Sequence, residues 1–408
     1  MKLLNTICVS ISLSNNIAIS TCLYLAISIN YCTMDNNLYF DNAASTLISD
    51  NALNEYIKAC KTFGNPSAKH HEGEKAKNLL EENRIKIAKL LKVPTKSIYF
   101  TSGGSESISI VLSSLLRKRN GGQIITSKIE HRAVLGFENA LKEKDWTIVK
   151  LNAKKGYVDP SDIEQNITSD TKLVAIQLVN SVTGAIQDIK SIVNIVRNKE
   201  KELNKKIFIL CDTVQALGKV DFNLVELDVD AAAFSAHKIY GPRGIGLLYL
   251  KDNNINVLSS AGGQESLVRG GTENVPAIAA FAKALEDIFT LNDDNVKQIN
   301  KKMREIFALN NIKVLSSEEN SSPFILSITT GLPAEVLTRI LSDQGYAVSS
   351  GSACSSKARS KNESILLAMN FTKNDAMGVI RISYSHYSTI EDGINLANAI
   401  VKAVKEFN

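Results

Sequence analysis

Short apolar runs alternate with longer amphipathic stretches from about residue 38 onward. An unbroken apolar run of a few residues is typical of a strand buried on both faces, as in a parallel sheet. Apolar positions that recur every three or four residues are typical of helices packed on one face. We therefore predict strands at 97–101, 123–127, 147–151, 172–179, 206–212, 231–235 and 245–250, with helices at 73–92, 105–119, 131–144 and 187–203 between them.

This alternation of strands and helices predicts an α/β fold with a large, doubly wound, mostly parallel sheet over residues 50–290. The pattern then changes, which predicts a smaller α+β domain over 291–408, joined by the N-terminal segment 34–49. A helical stretch is expected at 276–310, across the boundary between the two parts. A strand at 324–330, a helix at 333–344, a strand at 378–386 and a final helix are expected after it.

Residues 1–33 differ from the rest of the chain, with Lys2 as their one charged side chain. The stretch is too polar for a convincing membrane span and lacks the compact apolar core of a signal peptide. The patterning of a folded domain begins directly after Met34. We therefore predict that Met34 is the true start, while a cleaved or anchoring leader remains the alternative.

The composition narrows the class of protein. The 408 residues are 44% hydrophobic and 22% charged, with a net charge of +5 and no long basic run, so direct nucleic-acid binding is not expected. No metal site or disulfide framework is expected, because the cysteines show no metal-ligand or paired spacing. Free thiols and the absence of a clear span favour a cytoplasmic protein. The cysteines are Cys8, Cys22, Cys32, Cys60, Cys211 and Cys354.

Three groups of polar residues follow predicted strands, where open α/β sheets bind ligands. The segment TSGGSES at 101–107 contains Gly104 and Ser105 and opens a helix, whose free N–H groups favour an anion such as phosphate. Asp212 and Gln215 follow the strand at 206–212, where an aspartate could also simply cap a helix. These two signals are weak when each is considered alone.

The third group is Ser-Ala-His-Lys, with Ser235, His237 and Lys238. A single lysine would more often lie on the surface. Together the three groups suit pyridoxal phosphate, whose phosphate favours a helix start, whose pyridine nitrogen needs a carboxylate and whose aldehyde needs an amine. His131, after the strand at 123–127, would supply a flat ring against the cofactor.

The chain resembles the cysteine desulfurases of the NifS and IscS kind, in the first of their two groups, which are class-V aminotransferases of fold type I. The resemblance covers residues 38–390 and rests on a specific order of motifs. These are FDNAAST (40–46), FGNPSAKH (63–70), TSGGSES, EHRAVL (130–135), VNSVTG (179–184), CDTVQALG (211–218), SAHKIYGPRGIG (235–246), GGQESLVRGGTENVP (262–276), SSGSACSS (349–356) and RISYS (381–385).

The resemblance implies roles for particular residues. Lys238 would hold pyridoxal 5'-phosphate as a Schiff base and move the proton of the substrate α-carbon, and Asp212 would keep the pyridine nitrogen protonated. Arg381 and Asn180 would bind the substrate carboxylate. The implied cofactor ligands are Gly104, Ser105, His131, Asn180, Asp212, Gln215, Ser235, His237, Lys238 and, from a second subunit, Thr272.

Cys354 would be the catalytic nucleophile, since it lies among small polar residues rather than in an apolar run. The implied reaction converts L-cysteine to L-alanine and leaves a persulfide on Cys354. The implied partners are a second copy of the chain in a homodimer and a sulfur acceptor, either an iron–sulfur scaffold or a relay for thiolated RNA.

Three alternatives remain open at this point. A selenocysteine lyase would share the chemistry, an aminotransferase would need no cysteine at position 354, and a degenerate homologue would act as a regulator. The last is motivated by three departures from the family pattern, namely Ile108, Ser181 and Val182.

Overall fold

A computed structural model of the chain describes residues 38–117, 121–253, 255, 257, 262–350 and 365–407. The described residues from Tyr39 onward belong to one compact unit. The segment 1–33 and the expected nucleophile Cys354 lie outside the described residues. Among the helices that are described, none is long and apolar enough to cross a membrane.

The large sheet has seven strands, and each lies at an apolar run that predicted it. They are β1 (Ile98–Thr101), β2 (Gly122–Ser127), β3 (Trp146–Leu151), β4 (Thr171–Gln177), β5 (Phe208–Asp212), β6 (Ala231–Ser235) and β7 (Gly246–Leu250). Their order is β1-β7-β6-β5-β4-β2-β3. Strands β2 to β6 pair in parallel, and β7 runs antiparallel to both of its neighbours. The mostly parallel sheet is therefore confirmed.

The unbroken apolar runs bury side chains on both faces of this sheet. In β4, Val174 and Ile176 pack into one hydrophobic core, while Leu173 and Ala175 pack into another. Successive side chains of a strand point to opposite faces, so a strand covered on both sides has no polar alternate positions. The sheet accordingly lies between two layers of helices.

Thirteen α-helices have described bounds. They are α1 (Asp50–Ala59), α2 (His71–Leu90), α3 (Gly104–Leu116), α4 (Arg132–Leu135), α5 (Glu138–Lys142), α6 (Pro160–Asn166), α7 (Ile189–Leu203), α8 (Leu224–Leu227), α9 (Val275–Ile288), α10 (Asp294–Leu309), α11 (Ala334–Asp343), α12 (Lys373–Met377) and α13 (Ile390–Phe407). Helices α2, α7 and α9 contribute to the core on one face of the sheet. Helices α3, α4 and α5 contribute to the core on the other face.

Two of the predicted helices are each divided in the structure. The stretch 131–144 forms α4 and α5, which are separated at Gly136, a residue that weakens a helix interior. The stretch 276–310 forms α9 and α10. Between them, the Thr290 hydroxyl donates to the Asp287 carbonyl at 2.7 Å and the Asn292 side chain accepts from the Asp294 N–H at 2.7 Å. Such local side-chain hydrogen bonds compete with helix continuation.

A second sheet has three antiparallel strands, β8 (Lys313–Val314), β9 (Ile325–Thr329) and β10 (Val379–Ser383), in the order β10-β9-β8. The N-terminal segment adds to its edge, because Asp41 forms a parallel bridge with Ser383. Phe40 is fully buried in the core of this sheet. Further along the same segment, Thr46 and Ser49 donate their N–H groups to the carbonyls of His237 and Tyr240 after β6. The grouping of 34–49 with the small domain and the boundary near residue 290 both stay predictions.

Candidate active site

The predicted ligand residues gather at one edge of the large sheet. Strands β2, β4, β5 and β6 are parallel, so their carboxyl ends meet there, which is where such sheets bind ligands. A cavity at this edge contains every cofactor ligand predicted from the sequence except Asn180 and Thr272. Its lining is Gly104, Ser105, Ile108, His131, Gln177, Val179, Ser181, Asp212, Val214, Gln215, Ser235, His237 and Lys238.

One end of the cavity suits an anion. Helix α3 begins there at Gly104, and Gly104 and Ser105 both line the cavity. No side chain caps the first turn of this helix, so its N–H groups are available to an anion. The start of β7 packs unusually close to the backbone just before α3, since a Cβ on Gly246 would lie 2.4 Å from the Cα of Gly103. Only glycine permits this approach. Ser235 and His237 line the same cavity and add further polar groups.

His237 is held neutral. Its Nδ1 lies 3.2 Å from the Ser45 hydroxyl. Burial, followed by the positive charge of Lys238, lowers the pKa of His237 to about 4. A neutral ring can still donate one N–H to an anion, and a bound anion would favour its protonation.

This shift predicts a pH dependence of stability in the cofactor-free protein. Between pH 4 and roughly 6.5, the ordinary pKa of histidine, the unfolded chain binds a proton that folded His237 does not. Stability should therefore fall as the pH is lowered through this window, and His237→Gln should reduce that fall. Urea unfolding of both proteins at several pH values measures this fall in stability.

His71→Gln, at an exposed histidine on α2, is the control for this experiment and should leave the fall unchanged. An equally steep loss of stability in His237→Gln and in the parent would contradict the assigned cause.

Asp212 ends β5 as a buried carboxylate. Its Oδ1 accepts the Val214 N–H at 3.0 Å. Burial raises the pKa of Asp212, while this hydrogen bond and the nearby His131 and Lys238 oppose the rise. Within the described residues, no basic side chain lies within ion-pair distance of it. A buried carboxylate in this position suits a positively charged ligand group.

Lys238 lies across the cavity on the segment after β6. Its Nζ donates to the carbonyl oxygens of Ala43 and Ala44, each at 2.7 Å. Burial and then the charge of Arg381 lower the pKa of Lys238 to about 8, while Asp41 and Asp212 oppose the change. A neutral amine, which is the nucleophilic form, is therefore accessible near neutral pH.

Arg381 lies on β10 and is not part of the cavity lining itself. Its Nη2 is 2.6 Å from Asp41 Oδ1, and its Nη1 donates at 3.0 Å to the carbonyl of Ser181, which does line the cavity. Its Nε is buried and has no hydrogen-bond partner among the described residues. A buried donor without an acceptor is costly, so this N–H is suited to a ligand oxygen.

Asn180 and Thr272 lie outside the cavity lining. The Asn180 side chain serves its own turn, because its Oδ1 accepts the N–H groups of Val182 and Thr183 at 2.9 Å. Its Nδ2 donates to the Ile129 carbonyl at 3.3 Å. Thr272 is exposed. Its expected contact with the site of a second subunit stays a prediction.

The three departures from the family pattern have structural roles here. Ile108 is buried on α3 and also lines the cavity. Ser181 supplies the carbonyl that accepts from Arg381. Val182 is buried in the core, and its carbonyl accepts the Ser327 hydroxyl at 2.6 Å. Ile108 and Val182 therefore act as apolar packing groups, and Ser181 acts through its backbone.

Sequence reasoning assigned no role to Asp41, Glu130 and Lys219. Glu130 accepts the Ser127 hydroxyl at 2.5 Å and the Gln177 N–H at 2.8 Å, and burial raises its pKa to about 8. Asp41 falls within the quoted motif FDNAAST, which is the one signal for it. Lys219 follows Gln215 by four residues, a spacing that surface pairs share.

The fold agrees with the comparisons with known proteins. Residues 38–394 match the family described as aminotransferase class-V. The chain therefore belongs to the class-V aminotransferase family.

Its relatives within that family include named desulfurases. The chain is 36% identical to the NifS/IcsS protein homolog of Lactobacillus delbrueckii subsp. bulgaricus, over 91% of this chain and 98% of that protein. It is 33% identical to the cysteine desulfurase IscS of Dictyoglomus turgidum, over 88% of this chain and 92% of that protein.

Solved structures give the same result. A structure named NifS-like protein matches with a TM-score of 0.83 at 32% identity, over 90% of this chain and 99% of that one. A structure named SspA in complex with cysteine matches with a TM-score of 0.74 at 29% identity, over 86% and 99% of the two chains. The resemblance and the fold class predicted from the sequence are both confirmed.

Proposed function

We propose that the chain is a pyridoxal-phosphate-dependent cysteine desulfurase. It would convert L-cysteine to L-alanine and carry the sulfur as a persulfide on Cys354. The observation that most supports this proposal is a single cavity lined by the amine of Lys238, the carboxylate of Asp212 and the uncapped start of α3. The relatives named as cysteine desulfurases support the choice of substrate.

The donor set fits the cofactor. A phosphate would meet the N–H groups of α3 together with Ser105, Ser235 and His237, and the ring nitrogen would meet Asp212. When bound, the cofactor supplies an electron sink for the electrons released at the substrate α-carbon.

Different residues around the cavity would hold or transfer different protons. The Asp212 carboxylate would hold the proton on the ring nitrogen, and Lys238 would attach the cofactor and then carry the α-proton. Burial lowers the pKa of His131, which favours the neutral ring that can accept a proton. Gln215 would donate to the ring hydroxyl through its amide nitrogen.

The substrate carboxylate would be bound by Arg381. Its unpaired Nε–H, buried next to the Ser181 segment of the cavity, supports this role. The ion pair with Asp41 holds the guanidinium in place from the other side. A planar guanidinium binds and orients a carboxylate in a way that a lysine does not.

The sulfur step would use Cys354 as a thiolate that attacks the substrate sulfur. The carbon–sulfur bond of the substrate breaks and a sulfur–sulfur bond forms. The electron pair of the broken bond stays on carbon, which takes up a proton and leaves as part of alanine. The overall exchange of one thiol and one cysteine for one persulfide and one alanine is balanced without an external oxidant.

We also propose a homodimer in which Thr272 of each subunit contacts the phosphate of the other site. Its support is the exposure of Thr272 and the family resemblance of the segment around it. The sulfur acceptor would be an iron–sulfur scaffold or a thiolation relay protein. A cytoplasmic location suits the cysteine spacing, which lacks a disulfide pattern.

The purified protein tests the proposed function when it is incubated with pyridoxal phosphate, L-cysteine and a thiol reductant. We expect visible absorbance from bound cofactor, and sulfide and alanine in equal amounts. Transfer of the amino group to a keto acid without sulfide would instead support an aminotransferase. A colourless protein without turnover would support the regulator. Selenocysteine turnover with no cysteine turnover would support the lyase.

A further inference from the structure

Lys219 is a buried lysine with no acidic partner among the described residues. It lies in the turn after β5 and is 6% exposed. Its Nζ donates to Gln215 Oε1 at 3.0 Å, and no acidic side chain of the described residues lies within ion-pair distance. Burial, and then the charges of Lys238 and Arg381, lower its pKa to about 7. Lysine is rarely buried unpaired, so this position requires a physical reason.

The hydrogen bond from Lys219 affects which way the Gln215 side-chain amide is oriented. A carboxamide can rotate by 180° with almost no change in shape, so its orientation depends on its neighbours. In its protonated form Lys219 can only donate, and its Nζ faces the amide oxygen. On the other side the Ala43 carbonyl can only accept, and it binds the amide nitrogen at 2.8 Å. Two independent neighbours therefore select the same orientation.

The amide nitrogen lies on the reactive side of the cavity. It shares the Ala43 carbonyl with the Lys238 ammonium, and Gln215 itself lines the cavity beside Asp212. The nitrogen carries a second N–H, for which the described residues supply no acceptor. If the amide were reversed, its oxygen would lie on this side and would repel an anionic ligand oxygen.

We propose that Lys219 is a positioning residue, which holds the Gln215 amide with its free N–H toward the cavity so that this group can donate to the ring oxygen of the cofactor. This inference rests on the proposed function for the identity of that oxygen. It assigns Lys219 no contact with substrate or cofactor. It also gives a reason for burying a lysine in this turn.

The test uses the bound cofactor as a spectroscopic probe in the holoenzyme. A hydrogen bond to the ring oxygen weakens the hold of that oxygen on the proton shared with the Lys238 nitrogen. Lys219→Met, which keeps an unbranched chain of similar length, should therefore raise the pH at which the visible absorbance changes by roughly one unit. Gln215→Leu should produce a similar rise.

The double variant decides the route. If Lys219 acts through Gln215, Lys219→Met should add almost no further shift in the Gln215→Leu protein. An equal shift in both backgrounds would mean that Lys219 acts directly through its charge, and would overturn the proposal. Lys86→Met is the matched control. Lys86 lies away from the cavity and pairs with Glu286 at 2.9 Å, so this substitution should cause no shift.

The melting temperatures of the same four proteins without added cofactor separate this inference from the proposed function. If Lys219 and Gln215 interact, the two substitutions should change stability non-additively, whatever the sign of each single change. Strict additivity would overturn the contact and the proposal with it. A parent protein without visible absorbance but with non-additive melting would refute the cofactor role and retain the positioning contact.

Discussion

Lys238→Ala is expected to remove the visible absorbance of bound cofactor and to lower the rate of alanine formation by at least about 10³-fold. The physical reason is that Lys238 is the lysine in the cavity lining, and burial lowers its pKa to about 8, which provides a neutral amine near physiological pH. Lys219, a buried lysine near the site, instead donates to Gln215. Absorbance spectra and alanine assays on the purified variant measure both effects.

Lys86→Ala provides the control for this experiment, since it also removes a lysine, but one on the surface of α2 that pairs with Glu286. It should retain the absorbance and the rate of the parent. Normal colour and normal alanine release in Lys238→Ala would show that the amine comes from another residue, and the assignment of the site would then be wrong.

Cys354→Ser is expected to retain the cofactor absorbance while sulfide release from L-cysteine falls by at least about 100-fold. A serine hydroxyl is a far weaker nucleophile than a thiolate, so the carbon–sulfur bond would lack its acceptor. Alanine formation should fall in parallel, because the two products come from the same bond. Labelling of the protein-bound persulfide before reduction measures the intermediate directly.

Cys60→Ser is a matched control, because Cys60 is an exposed free thiol at the end of α1. It should leave sulfide release unchanged. Parent-like sulfide release from Cys354→Ser would contradict the persulfide mechanism. Selenocysteine offered to the same variant tests the rival substrate, because selenium can leave without a thiol acceptor.

The fold was predictable because its main signals are local. An apolar run such as that in β4 is buried on both faces, and this requirement is visible in consecutive residues. The prediction was wrong where local polar groups decide a helix end. Thr290 and Asn292 divide α9 from α10 through hydrogen bonds to nearby backbone, and periodicity alone does not detect them.

The grouping of the candidate site residues was predictable for a related reason. Asp212 and Lys238 follow strands that turned out to be neighbours, and the carboxyl ends of parallel strands meet at one edge. The role of Asn180 as a ligand stays a prediction. In the structure its side chain bonds to the backbone of its own turn. That hydrogen bonding depends on backbone geometry that residue spacing does not reveal.

The sequence by itself therefore determined the strand and helix order, the edge of the sheet where the candidate site residues gather and the residue types available there. These depend on hydrophobic periodicity and on the ends of strands, which are properties of short segments. Only the tertiary structure decided which charges meet. Asp41 pairs with Arg381 across 340 positions of sequence. The burial that lowers the pKa of Lys219 and Lys238 likewise comes from distant segments packed around them.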